Sequence, residues 1–184
     1  MSVLFKDYNY KPLGEIRPLL PGLLEKAEWK GRRAINNNPI IDRIYTIVDG
    51  IRVCLHIMYP CDTHETMWHS HGWPSYLELV HGQQQVGCGL DREGYNERGI
   101  TIVPTGAAGI DCPEIEDVMY LERGSSYSMP VNEAWHYVRP FAGPSFSIMV
   151  NGPLLDTNRT AAGNRNCMTA EEVETYKHIW KSLL

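Results

Sequence analysis

The sequence lacks the signals that would direct a chain to a membrane, to nucleic acid or into a disulfide-bonded scaffold. No run approaches the roughly 18 apolar residues that span a bilayer. The start, Met1-Ser2-Val3-Leu4-Phe5-Lys6-Asp7, has no basic segment followed by an apolar one. Positive charge is short as well: 17 Lys and Arg stand against 22 Asp and Glu, a net charge of -5, which gives no footprint for a phosphate backbone or an anionic lipid surface. The five cysteines (Cys54, Cys61, Cys88, Cys112, Cys167) are odd in number and form no CxxC pair. That pattern argues against a disulfide framework and a cysteine-based zinc knuckle, and leaves reduced thiols in a cytoplasmic protein as the expectation. With 16 Gly and 12 Pro in 184 residues there are many turns but no collagen-like or low-complexity stretch, and no internal repeat is visible.

The length suits a single domain over 1–184, with an N-terminal helical segment at 1–40, a β-barrel at 41–152 and a tail with a helix at 153–184. Leu19-Leu20, Leu23-Leu24 and Ala27-Glu28-Trp29 recur at helical spacing, so a short helix is predicted within 12–33, covering an edge or mouth of the barrel. The period then changes to two. Ile41 begins a β-branched run that reaches Val48, Asp49-Gly50 forms a turn, and Ile51 opens a second run, which together read as a hairpin. Further strands are expected at 66–71, 76–81, 84–89, 100–103, 118–122, 136–139 and 145–150. Many short strands separated by turns make an all-β sandwich or barrel. At the end of the chain, Thr169-Ala170-Glu171-Glu172 is a capping box opening a helix whose apolar face (Val173, Tyr176, Ile179, Trp180, Leu183) docks outside the barrel.

Among seven histidines, His69 and His71 are one residue apart, so on a strand both imidazoles project from one face and can converge on one ion. His136 supplies a third, far along the chain. Three neutral imidazoles suit Fe, Ni, Mn, Cu or Zn and leave coordination positions open. On residue types alone, a chance pair on a strand and a surface His136 explain the pattern equally well.

The hairpin adds a second polar feature. A two-residue Asp49-Gly50 turn pairs Tyr45 with Cys54 and Arg43 with His56, all on one face, while Ile44, Val48, Ile51, Val53, Leu55 and Ile57 occupy the other. If the polar face looks into a barrel mouth, Arg43 or Arg52 can hold a substrate carboxylate in a bidentate contact. An ordinary half-solvated hairpin is the competing description.

The spacing around the histidines resembles the cupin family. His69-Ser70-His71 is followed by three residues, Ser75, six residues and Gly82, against the family's HxH, three or four residues, an acidic residue, six residues and Gly. Gly124, Pro130, Asn132 and His136 are similar to the second motif, with one inserted residue and Asn in place of Gly. The resemblance implies a double-stranded β-helix with short terminal helices and a metal, Fe(II) first, inside it on His69, His71 and His136. Ser75 stands where most metal-binding cupins place a glutamate, which is similar to the three-histidine thiol dioxygenase branch; Glu78 is the rival ligand if a bulge shifts the strand by one. Arg43 precedes the histidines at a distance similar to that of the substrate-gripping arginine of cysteine dioxygenases. Those enzymes carry a serine, a histidine and a tyrosine in alternation on a late strand, where this chain has Ser147, Met149 and Asn151.

The expected function is therefore a mononuclear non-haem metal dioxygenase or oxygenase. It acts on a small anionic molecule, with dioxygen as co-substrate, Arg43 or Arg52 orienting the substrate and Tyr76 or Tyr127 donating a proton. The alternatives are a metal-dependent cupin isomerase, epimerase or lyase using Glu78 or Glu133, and a non-catalytic small-molecule-binding cupin. An open sheet edge makes a homodimer an expectation; nucleic acid and membrane are not expected partners. His56, His64, His81 and His178 read as ordinary strand, loop or surface residues, Cys88 as a buried thiol, and Trp73 and Trp135 as packing or rim residues. The acidic stretch 106–117, with Asp111, Glu114, Glu116 and Asp117, lacks calcium-loop spacing and reads as a solvated loop.

Overall fold

Asp49 and Gly50 both take positive φ, 49° and 79°, the backbone of the two-residue turn whose twist matches paired strands. The turn joins β2 (Ile41–Val48) to β3 (Ile51–Met58) in the expected register, with Tyr45 opposite Cys54 and Arg43 opposite His56. The computed structural model describes residues 15–34, 39–91, 94, 102–104, 115–129, 134–152 and 165–184. Its further strands are β1 (Lys30–Ala34), β4 (Met67–Ser70), β5 (Ser75–His81), β6 (Gln84–Leu90), β7 (Ile102–Pro104), β8 (Asp117–Leu121), β9 (Ser126–Met129), β10 (Ala134–Pro140), β11 (Ser145–Asn151) and β12 (Arg165–Cys167).

Among the described residues all strand pairings are antiparallel and build two sheets, of order β12-β1-β2-β3-β11-β5-β9 and β7-β4-β10-β6-β8. The chain crosses between them at each step from β3 to β6 and again from β8 to β11. The result is two interleaved four-stranded sets, β3-β11-β5-β9 facing β4-β10-β6-β8. This is a double-stranded β-helix, the fold that the cupin resemblance implies. Gly82 and Gly124 take φ of 84° and 86° at turns leaving β5 and preceding β9, so the two motif glycines sit where an L side chain would be strained.

The larger sheet has two unlike faces. Its outer face (Ile44, Val53, Leu55, Val80, Ile148, Val150) packs under α1 (Leu20–Lys26) and α2 (Ala170–Lys181), which contribute Leu20, Leu24, Val173 and Trp180. The capping box forms: the Thr169 hydroxyl accepts from the Glu172 amide at 3.2 Å, and the Glu172 carboxylate accepts from the Thr169 amide at 2.7 Å. The other cluster lies between the sheets and includes Cys54, Leu77, Leu79, Val86, Cys88, Tyr127, Met129 and Met149. Among the described residues no helix is long and apolar enough to cross a membrane.

Strands β1, β9 and β12 lie where the sequence pattern predicts none. Among the described residues, the helix predicted within 12–33 is observed as helical residues 15–16, a 3-10 turn at Arg17–Leu19 and α1, which ends where the Trp29 indole N–H donates to the Leu23 carbonyl at 2.9 Å. Beyond it, Lys30–Ala34 is a strand, because β2 and β12 pair with it on either side and saturate its backbone. Met168 and Val173 lie so close to Gly31 that a Cβ there would meet them at 2.6 to 2.8 Å, so α2 starts directly against this strand. The terminal segments thus add β1 and β12 to the sheet that carries β2 and β3. Expected strand 100–103 is observed at Ile102–Pro104, and most of the acidic stretch 106–117 lies outside the described residues.

Asp42, 2% exposed on the outer face of β2, clasps the helical layer to the sheet. It accepts from Arg33 Nε at 2.6 Å, from the Tyr59 hydroxyl at 2.9 Å and from the Tyr176 hydroxyl of α2, while Arg33 also lies 3.5 Å from Glu172. Asp42→Ala removes the acceptor of all three donors and is expected to destabilise the protein by about 2–3 kcal/mol, read as a lower urea midpoint. An unchanged midpoint would show that the clasp is dispensable.

Candidate metal centre

Strand pairing brings the histidines together. His69 on β4 lies directly opposite His136 on β10, and His71 comes immediately after the end of β4. His136 Nε2 is 2.9 Å from His69 Nε2 and 3.1 Å from His71 Nε2. The three ring centroids are 4.4, 5.0 and 5.2 Å apart in pairs. The outward neighbours Trp68 and Trp135 are 1% and 0% exposed and cluster with Tyr137, so the period-two alternation that buries these aromatics on the outer side also turns His69 and His136 inward.

The far nitrogens of two rings are held. His69 Nδ1 donates to the Met67 carbonyl at 3.1 Å, which leaves Nε2 as the lone-pair nitrogen facing the other two. His136 Nδ1 is 3.1 Å from the Tyr127 hydroxyl. Burial first, then the proximity of His69 and His71, pushes the His136 pKa well below its ordinary value and keeps the ring in the neutral, ligating form. Burial, with a smaller contribution from Cys88, raises the Tyr127 phenol far above its usual range, so its proton stays on.

These donors fit a divalent metal. Adjacent corners of an octahedron with bonds of about 2.1 Å are about 3.0 Å apart, whereas tetrahedral corners are nearer 3.4 Å. The observed 2.9 and 3.1 Å are of this order. A single N–H on His136 Nε2 can serve only one of its two nitrogen neighbours, so hydrogen bonds among the three rings cannot satisfy both contacts, whereas one cation could. Among the described residues, His69, His71 and His136 are the one group of three or more His, Cys, Asp or Glu side chains whose ligand atoms converge, all within 4.8 Å of one another.

The other candidate residues divide by strand parity. Ser75 points inward, 2% exposed, and its hydroxyl donates to Asn151 Oδ1 at 3.2 Å. Glu78 lies on the opposite face and is ion-paired with Arg17, so it supplies no ligand to the triad in this structure. Tyr76, a candidate proton donor on sequence grounds, shares that outward parity and packs in the helical layer away from the histidines. Tyr127 is at the site, but its hydroxyl is engaged with His136. Beside it lies a cavity of about 10 Å³, lined by Ser75, Leu77, Tyr127, Met129, His136 and Met149, with room for about one water. Glu133 lies outside the described residues.

The inner face of the hairpin carries a second group of polar side chains. Arg43, His56 and Ser147 form one cross-strand row over β2, β3 and β11. His56 is 1% exposed and Ser147 0%, and Arg43 Nε, both His56 ring nitrogens and the Ser147 hydroxyl are buried without a hydrogen-bond partner. Burial, then Arg43 and then His69, holds the His56 pKa well below normal, so the ring is a neutral donor and acceptor. The sequence alone reads His56 as an ordinary strand residue; its pairing with Arg43 is the signal that places it inside. Arg52 stacks between Tyr45 and Trp73, with centroid distances of 5.1 and 5.7 Å, and the Trp73 ring is 5.9 Å from that of His71.

No protein-family model matches the chain, and no curated protein does. Among solved structures, the Fe(II) form of HppE aligns over 67% of this chain and 56% of its own, with 12% identity and a TM-score of 0.46. Hydroxypropylphosphonic acid epoxidase from S. wedmorenis aligns over 65% and 55%, with 14% identity and a TM-score of 0.42. A protein of unknown function from Vibrio parahaemolyticus aligns over 60% and 85%, with 12% identity and a TM-score of 0.37. The match thus spans little more than half the length of the first two. At such distance the chemistry of the site rests on its own side chains, and Tyr127 offers a direct check. Tyr127→Phe removes only the hydroxyl that steadies His136 and is expected to weaken metal binding by about tenfold in chelator competition, with the circular dichroism spectrum unchanged.

Proposed function

We propose that this chain is a mononuclear non-haem metal oxygenase that takes a small anionic molecule into its barrel, with His69, His71 and His136 holding the metal and Fe(II) as the preferred ion. The observation that carries the reading is the convergence of three imidazoles inside a β-helix, His136 Nε2 lying 2.9 and 3.1 Å from the other two and all ligand atoms within 4.8 Å of one another, together with a row of buried polar groups without partners. A ferrous ion on three neutral ligands supplies open positions for substrate and dioxygen and the electrons that dioxygen needs. In the dioxygenase form of the reaction both oxygen atoms enter the product and no external reductant is consumed.

The remaining steps belong to the chain's own residues. Arg43 and Arg52 attract and orient the anionic end of the substrate, Arg43 from the interior and Arg52 from its stack on Tyr45 and Trp73. Met67 and Tyr127 fix the orientation of the His69 and His136 rings. His56, neutral and unpartnered, offers one ring nitrogen as acceptor and the other as donor to a bound molecule. The buried walls around it (Cys54, Leu79, Met149) keep competing water from the reacting atoms.

Purified protein is expected to hold one equivalent of iron per chain and to consume dioxygen when offered small carboxylates, and His136→Ala is expected to lose both properties. Retention of iron and oxygen uptake by His136→Ala would falsify the proposal. Metal-dependent turnover that continues under argon would move the protein to the isomerase or lyase class.

A further inference from the structure

Strand β1 brings a third arginine to the hairpin. Arg32 stands directly opposite Arg43 in the β1–β2 register, and Tyr45, two residues along β2, faces the same way. The Tyr45 ring is a hub: the Arg52 guanidinium carbon lies 5.1 Å from its centroid and that of Arg32 lies 6.0 Å away. Like charges directly opposite each other across strands repel, and the chain has carboxylates to spare, with 22 acidic residues against 17 basic ones. Yet among the described residues every ion pair uses a different cation, namely Arg17, Lys30, Arg33 or Lys177. Arg32, Arg43 and Arg52 have no carboxylate partner there.

Their placement is graded. Arg32 is exposed, Arg52 is half-buried, and Arg43 reaches inward with Nε buried and unpartnered. Next to Arg43 in the same row stand His56 and Ser147, at 1% and 0% exposure, with three further polar atoms lacking partners. Leaving such groups buried and unmatched costs free energy, which a ligand carrying the complementary charge and acceptors relieves. Burial lowers the Arg43 pKa, the neighbouring Cys54 opposes that shift, and Arg52 and Arg32 add to it, though an arginine keeps its proton. A single carboxylate engages one guanidinium fork in full, whereas three guanidiniums with an imidazole and a hydroxyl call for a second negative charge.

We infer that the molecule accepted by this barrel is a small dianion, a dicarboxylate or a phosphoryl compound, bound by Arg32, Arg43 and Arg52 around Tyr45 with His56 and Ser147 at the inner end. The inference deepens the proposed function, since it names the substrate class of that site, and it assigns Arg32, on a strand without a sequence signal of its own, to substrate binding.

The experiment is isothermal calorimetry on the full chain as purified, under argon, with succinate, inorganic phosphate and butyrate at fixed ionic strength. At least one of the two dianions is expected to bind about tenfold or more tightly than butyrate, with affinity falling as salt rises. Which dianion wins separates the dicarboxylate from the phosphoryl source. Arg32→Gln, an exposed change whose folding is checked by thermal denaturation, is expected to remove most of that preference while leaving butyrate binding within about twofold. Equal affinity for all three anions, no binding of either dianion, or a preference untouched by both Arg32→Gln and Arg52→Gln would overturn the inference. Because oxygen is excluded and no turnover is read, this result is separate from the oxygen-uptake test: either reading can fail while the other stands.

Discussion

Three imidazole nitrogens converging from the adjacent strands β4 and β10 of one sheet are the arrangement around which the rest of this structure is organised. Neutral rings in that position cannot all be hydrogen-bonded to one another, a shortfall that a divalent cation would make good by taking a lone pair from each. The geometry depends on one pairing, His69 opposite His136 on β4 and β10. A slip of one residue would turn His69 outward and carry Trp68 inward. Trp68, Trp135 and Tyr137 oppose that slip, because their burial on the outer side requires the register that points the histidines in. The Trp68 and Tyr137 rings meet edge to face at 5.3 Å, so the metal centre is positioned by aromatic packing on the opposite face of its own sheet.

The larger sheet separates stability from function in the same way. Its outer face is apolar and is roofed by α1 and α2, and the Asp42 clasp ties α2 to β1 and β2 through Arg33 and Tyr176. With the helical layer supplying the burial, the inner face of β2, β3 and β11 can carry Arg43, His56 and Ser147 without partners. Such a row would be a liability in a structural protein. Beside the histidine triad it is the surface that the proposed function assigns to a polar ligand, and the stack running from His71 through Trp73, Arg52 and Tyr45 to Arg32 continues it toward solvent.

Much of this is legible in the sequence because the signals are local. The Asp49-Gly50 hairpin, the capping box at Thr169, the HxH spacing and the alternation in β5 that sets Ser75 and Glu78 on opposite faces all derive from neighbouring residues. Which of the two β5 faces looks inward does not, so Tyr76 is a candidate by sequence and yet lies under the helices in the structure. Strand β1 is hidden for a different reason. Lys30-Gly31-Arg32-Arg33-Ala34 has no apolar alternation and exists as a strand because β2 and β12 flank it. Arg32 therefore becomes visible only with tertiary pairing. β9 and β12 escape a sequence reading likewise, being three or four residues long and rich in polar side chains.

The central claim is that one metal ion sits on His69, His71 and His136. X-ray absorption at the iron edge, recorded on the full chain after anaerobic loading with one equivalent of ferrous iron and gel filtration, tests it most directly. The predicted result is iron retained through the column and a scattering pattern of three imidazole rings on one ion, falling to two in His71→Ala. Iron lost on the column, or an ion surrounded by oxygen scatterers alone, would contradict it.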